Sequence, residues 1–302
     1  MRMQFVKTVS DIFKKDNRVV LLLGDIGVFG FRDLLSDHSD RAYNIGILEQ
    51  STISMSSGLA LAGLIPIVHT IAPFLVERSL EQIKVDLCYQ ELGANLVSVG
   101  GSYDYAALGP THHCPADIPT LNEIPNIEIV VPGHPNEFDQ LFIQSYDNRV
   151  TTYYRLSESS NNDAHKVEFG KNIILKEGGD IVIIAVGTVL QAVLDATTDL
   201  DVTVVYCTTV KPFDLPSIKQ FLKNKIIVVE PYYSSPIITN ILRESKEPLG
   251  KITSIGVPND FINKYGKKEE IDTIVGLDSE SIRSKVMERI FDEEWRSTKA
   301  SR

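Results

Sequence analysis

Five consecutive aliphatic residues, Val19-Val20-Leu21-Leu22-Leu23, run straight into Gly24-Asp25-Ile26-Gly27. A strand with one face in water alternates apolar and polar side chains. An unbroken apolar run therefore predicts a strand covered on both faces, the habit of parallel sheets flanked by helices. Further buried-strand candidates lie at 65–69, 95–99 and 127–131, while residues 8–15 and 75–88 carry helical spacing. Strands alternating with helices predict an α/β fold with a doubly wound sheet. Open sheets of this kind bind ligands beyond the carboxyl ends of their strands, and the motifs of this chain fall there.

The polar tract Ser157-Glu158-Ser159-Ser160-Asn161-Asn162-Asp163-Ala164-His165 has linker composition, and a second α/β pattern follows it. Strands are expected at 180–185, 202–207, 225–230 and 252–257, and helices at 190–196 and 215–222. This places two doubly wound domains at 1–160 and 161–302, and a hydrophobic fraction of 43% supplies each with a core. The second domain is read as serving dimerisation and stability without touching substrate.

Forty acids against 30 bases leave a formal charge of -10, which gives no reason to expect nucleic acid or an anionic membrane as partner. Three cysteines, Cys88, Cys114 and Cys207, form no CxxC pair and no metal spacing. No apolar run is long enough to span a bilayer and the first residues show no leader pattern, so a cytoplasmic, soluble protein is expected.

Chemistry is concentrated in Arg41-Ala42-Tyr43-Asn44-Ile45-Gly46-Ile47-Leu48-Glu49-Gln50 and the small-residue run that follows, residues 51–63. A carboxylate at the start of a helix has ordinary explanations: it favours the positive end of the macrodipole or bonds an orphan amide. Here the following Ser51, Ser54, Ser57, Gly58, Ala60 and Ala62 are small. Such a helix gains little by burying bulk and is suited to close approach of another backbone. Two further segments stand out, Ala72-Pro73-Phe74 and Gly109-Pro110-Thr111-His112-His113. A lone Phe is more often core than site, and adjacent histidines fit a polar cleft, a casual metal site or a plain surface loop.

Taken together, Arg-x-x-Asn-x-Gly-Ile-x-Glu-Gln, the small-residue helix, Phe74, Gly-Pro-Thr-His and Pro125-Asn126 resemble the pyrimidine-binding domain of the transketolase family. Ala185-Val186-Gly187-Thr188 and Lys211-Pro212-Phe213-Asp214 extend the resemblance into the family's C-terminal domain. It implies thiamine diphosphate as cofactor, with Glu49 at the pyrimidine N1' promoting the imino tautomer and Phe74 stacking on the ring. It also implies Ile47 beside the cofactor and His112 as a polar catalytic group. His113, at a position usually held by Gln, and Leu108 are substrate-side candidates of lower weight.

This sequence also departs from the family. Leu108 stands where sugar-phosphate transketolases carry an acid for a donor hydroxyl, Glu158 where a basic residue grips phosphate, and Gly100 near an expected phosphate-binding His. A leucine accepts no hydrogen bond and a carboxylate repels phosphate, so an acceptor without a terminal phosphate, or one linked to a nucleotide, is expected. The Gly-Asp-Gly segment that holds Mg²⁺ and the diphosphate is missing, since Gly24-Asp25-Ile26-Gly27 is not that motif. The expectation is the β-type half of a split enzyme, paired with an N-terminal-type subunit that carries the metal motif, in an α2β2 heterotetramer. The alternatives are the β subunit of a 2-oxoacid decarboxylase or dehydrogenase and a non-catalytic scaffold subunit.

Overall fold

The computed structural model describes residues 1–300, with side chains described through residue 290. Twelve strands form two sheets: β1 (Val19–Leu23), β2 (Ala42–Asn44), β3 (Ile65–Ile71), β4 (Asn95–Val99), β5 (Ile127–Val130) and β6 (Thr151–Arg155), then β7 (Asn172–Lys176), β8 (Ile181–Val186), β9 (Thr203–Cys207), β10 (Thr209–Lys211), β11 (Lys225–Tyr233) and β12 (Ile252–Val257). The seven-stranded sheet has the order β10-β5-β6-β4-β3-β1-β2 and the five-stranded sheet β12-β11-β8-β9-β7. Pairing is parallel throughout except at two edges, where β10 runs antiparallel to β5 and β7 antiparallel to β9. Both sheets are doubly wound, as the continuous apolar runs predict. β1, β3 and β4 are buried at every position.

Several elements differ from expectation for identifiable reasons. The first helix spans Arg2–Phe13 rather than 8–15, because Phe5, Val9, Ile12 and Phe13 make one buried stripe at helical spacing. Residues 75–88 are not one helix. A helix at Ala72–Val76 ends in a turn where the Ser79 hydroxyl bonds Leu75 O at 2.5 Å, competing with the backbone ladder, and the chain restarts at Leu80–Gln82 and continues as a π-helix, Ile83–Cys88. The expected helix at 215–222 divides into Leu215–Ile218 and a 3₁₀ turn, Lys219–Phe221.

β6 escapes the apolar signature because it reads Thr-Thr-Tyr-Tyr-Arg, yet all five residues are buried. Its polar tips are satisfied inside: the Tyr153 hydroxyl reaches Ser98 and Asp117, Tyr154 meets Ser145, and Arg155 pairs with Asp117 at 2.7 Å.

The polar tract 157–165 is packed rather than loose. Asn161 is buried, and it donates its amide to Gly133 O and its side-chain nitrogen to Gly187 O. One apolar cluster also runs through both halves, from Phe5 and Phe138 to Tyr206 and Val286. β10 completes this union by lying on the edge of the first sheet although it belongs to the second half of the sequence.

Candidate active site

From β1 the chain moves to β2 on one side and to β3 on the other, so the winding reverses between β1 and β3. Crevices form beyond the carboxyl ends of strands at such a reversal. Here the β3 end carries Thr70 and leads directly into the helix bearing Phe74, while Glu49 opens the helix Glu49–Leu61 that follows β2.

Glu49 is only 3% exposed. A carboxylate so placed needs compensation. It has the positive end of its own helix, a long contact of 3.5 Å from the Thr70 hydroxyl, and a short ion pair of 2.6 Å in which Arg78 Nη1 donates to Oε2. The same guanidinium lies over the Phe74 ring, with Cζ 4.3 Å from the centroid. Phe74 also meets the His112 ring in a T-shaped contact at 5.4 Å, and His112 in turn meets Tyr105 at 6.3 Å. The Thr111 hydroxyl stands 3.0 Å from His112 Nδ1, fixing the imidazole at one nitrogen. Glu49, Arg78, Phe74, His112 and Tyr105 are thus one connected set.

The sequence reading overlooks Arg78 and Tyr105. The signal for Arg78 is its position four residues after Phe74, a helical spacing, although the structure places it in the turn beyond the Ala72–Val76 helix. Its geometry also tests whether the residues fit an aminopyrimidine. The guanidinium is a planar group with N–H donors, and it donates to Glu49 while resting on Phe74. One planar donor thus meets the carboxylate and the aromatic face together, which is what a bound aminopyrimidine would have to do.

The remaining candidates are dispersed. Ile47 is 65% exposed in the turn before the Glu49 helix, beside Gly46, where a φ of +82° and open space mark a sharp bend. Leu108 is half exposed at the start of the 3₁₀ turn Gly109–Thr111. His113 is buried, away from the ring contacts that His112 makes, and burial holds its imidazole below the usual range. At Gly100, with a φ of +75°, a side chain would collide with the Tyr105 ring, so that ring fills the space a larger residue would take. Glu158 is exposed, and its amide donates to Asp104 at 3.1 Å. Arg155, three residues before Glu158, is enclosed and committed to Asp117 and Ser102. Among the described residues no group of three or more His, Cys, Asp or Glu side chains is placed to hold a metal, and no helix is long and apolar enough to cross a membrane.

Residues 1–162 match the model of the transketolase pyrimidine binding domain, and residues 170–282 match that of the transketolase C-terminal domain. An uncharacterized 33.6 kDa protein in the fasciation locus of Rhodococcoides fascians is 36% identical over 287 residues, covering 93% of this chain and 92% of its own. One subunit of the apulose-4-phosphate transketolase of Actinobacillus succinogenes is 28% identical, with 82% of this chain and 84% of that one covered. The 1-deoxy-D-xylulose-5-phosphate synthase of Thermotoga petrophila is 32% identical over 93% of this chain, which spans only 48% of that longer protein. A solved split gene transketolase, an inactive beta4 tetramer, shares the fold with a TM-score of 0.82 at 21% identity, over 95% of this chain and 96% of that one. The paired sheets, the reversal at β1 and β3, and the two matched domains lead to one assignment: the chain belongs to the transketolase family.

Proposed function

We propose that this chain is the C-terminal-type, β subunit of a thiamine-diphosphate-dependent transketolase-like enzyme, transferring a ketol unit to a carbonyl acceptor once an N-terminal-type subunit completes the site. The observation that carries this reading is the pairing of a buried Glu49 carboxylate and the Phe74 ring through one planar group, Arg78. When bound, thiamine diphosphate supplies a carbon nucleophile whose formation its own aminopyrimidine assists. Within this chain, Glu49 would hold and return a proton at the ring nitrogen through its carboxylate, Phe74 would support the ring, and Ile47, in the turn before the Glu49 helix, would lie beside it. Arg78 fixes the orientation of Glu49, and His112 donates or accepts a proton at a substrate oxygen. Mg²⁺ and the diphosphate fall to the partner.

The partner surface in this reading is the small-residue helix. Ser51, Ser54 and Gly58 are exposed along it, flanked by Ile47, Leu48, Met55 and Leu61, an apolar face left uncovered within the chain. The relative named as one subunit of a transketolase supports the need for a partner subunit, and the assembly in this reading is α2β2. The acceptor lacks a terminal phosphate, on the strength of Leu108, Glu158 and the Tyr105 ring over Gly100. The relative named for apulose 4-phosphate makes a phosphorylated sugar the comparison substrate.

The test is reconstitution with an N-terminal-type subunit. The purified chain alone is expected to bind thiamine diphosphate weakly, and the mixture tightly and with Mg²⁺. Hydrogen–deuterium exchange at the thiazolium C2 should be fast in the mixture and lost with Glu49→Ala. Exchange at the wild-type rate in that variant would refute the role of Glu49, and turnover of pyruvate in place of a ketose would move the reading to 2-oxoacid chemistry.

A further inference from the structure

The second half of the chain does not stay clear of the cleft. Its segment 258–266 crosses to the Gly109 turn, and the Tyr265 ring lies so close to Gly109 that a side chain there would strike it. Gly109 has a φ of +73°, so the turn needs glycine on both counts. Behind this contact is a cavity of about 100 Å³ lined by Glu77, Pro110, His113, Asp260, Phe261 and Ile262. By volume it holds several waters, or the three-carbon end of a sugar.

Two consecutive pairs of residues connect this cavity to the site described above. Arg78 faces Glu49 and Phe74 while its neighbour Glu77 lines the cavity, and His112 meets Phe74 while His113 lines the cavity. The two spaces share a wall. A backbone hydrogen bond, from Tyr233 N to Pro115 O at 3.0 Å, also joins the halves beside it.

The lining has a definite chemistry. His113 is 7% exposed, and neither ring nitrogen has a hydrogen-bond partner among the described residues. Both nitrogens are enclosed, so a ligand hydroxyl reaches one only if the ring turns toward the cavity; a hydroxyl, which both donates and accepts, then relieves the unpaired group. Glu77 and Asp260 offer carboxylate acceptors, and the Glu77 carboxyl is pushed up by desolvation. Phe261, Pro110 and Ile262 provide apolar faces for C–H groups. Among the described residues no Lys or Arg lines the cavity, so nothing there matches a phosphate.

We propose that this cavity is a subsite for the uncharged, hydroxylated end of a sugar substrate, which makes the C-terminal domain a determinant of specificity. The identity of the ligand as the acceptor rests on the function proposed above. Binding itself does not, because it can be read on this chain without partner, cofactor or turnover.

The experiment is a titration of the full chain, with ring-labelled histidine, followed by NMR. The His113 signals are identified by their loss in His113→Gln. D-xylulose is expected to shift them saturably, and xylulose 5-phosphate to bind at least about tenfold more weakly. Phe261→Ala should weaken D-xylulose binding by a similar factor; Phe261 is 80% exposed, so the substitution leaves the fold alone. His113 signals unmoved up to about 100 mM D-xylulose, binding of the phosphate ester as tight as that of the neutral sugar, or unchanged affinity in Phe261→Ala would each overturn the proposal.

Discussion

Replacing Arg78 with methionine removes a charge while keeping a long side chain, and the structure sets the size of the loss. The ion pair with Glu49 is 2.6 Å long and its carboxylate is enclosed, but the Arg78 side chain is 39% exposed. A hydrogen bond between charged groups contributes about 1.5–3 kcal/mol when desolvated. Exposure of one partner cuts that to roughly 1 kcal/mol. The contact over Phe74 adds about 0.5–1 kcal/mol. Arg78→Met should therefore destabilise the chain by about 1–2 kcal/mol in urea unfolding, at fixed protein concentration so that self-association does not intrude. The decisive quantity is the coupling with Glu49→Gln. If Arg78 acts through Glu49, Arg78→Met should cost about 1 kcal/mol less in the Glu49→Gln background than in the native chain. Coupling below about 0.3 kcal/mol would show that the pair does not constrain the carboxylate, and Arg78 would lose its place as a positioning residue.

The buried His69 makes stability depend on pH. Its imidazole is pushed down by burial to about 4, so between the ordinary value of 6.5 and 4 the unfolded chain takes up a proton that the folded chain refuses. Stability is full above that window and falls as pH drops through it, by up to about 3 kcal/mol, an effect that His69→Gln should flatten. Glu230 acts with the opposite sign, since burial raises it to about 7 and folding is favoured by its proton. The difference between His69→Gln and native chain is therefore the quantity to measure, and an identical pH slope would exclude His69 as its source. On the substrate side, Leu108→Asp with Glu158→Arg should improve turnover of xylulose 5-phosphate with ribose 5-phosphate in the assembled enzyme; efficient turnover of that pair by the unaltered enzyme would remove the basis for an unphosphorylated acceptor.

The fold was most legible where burial leaves a compositional trace. β1 announces itself because both faces are covered and every position is apolar; β3 and β4 are as buried and mostly apolar, but carry His69, Thr70, Asn95 and Ser98. β6 is as deeply buried, but its partners are hydroxyls and a carboxylate from distant segments, which no local pattern records. The candidate site divides in the same way. Glu49, Phe74 and His112 could be singled out from turn residues and motif context, and the structure brings them together. Arg78 was hidden in a segment read as continuous helix, and its role depends on a break at Ser79 and on a residue 29 positions earlier. His113, of lower weight than His112 in the sequence, is buried and lines the Glu77 cavity while His112 meets Phe74, a division that no local pattern records.

The edge strand β10 gives the two halves a common fate. Thr209 and Lys211 pair with Val130 and Ile129, Val131 N bonds Thr208 O at 2.8 Å, and the Lys211 ammonium caps Asn122 O and Ile124 O. Cutting the chain in the tract near residue 160 leaves β5 with a bare row of amides and carbonyls beside an Ile-Glu-Ile-Val sequence. Such an edge pairs readily with other chains and aggregates. The first half is thus not a portable module. It reaches its closed form only after Lys211 has left the ribosome, so the two halves should melt in a single cooperative transition rather than one after the other.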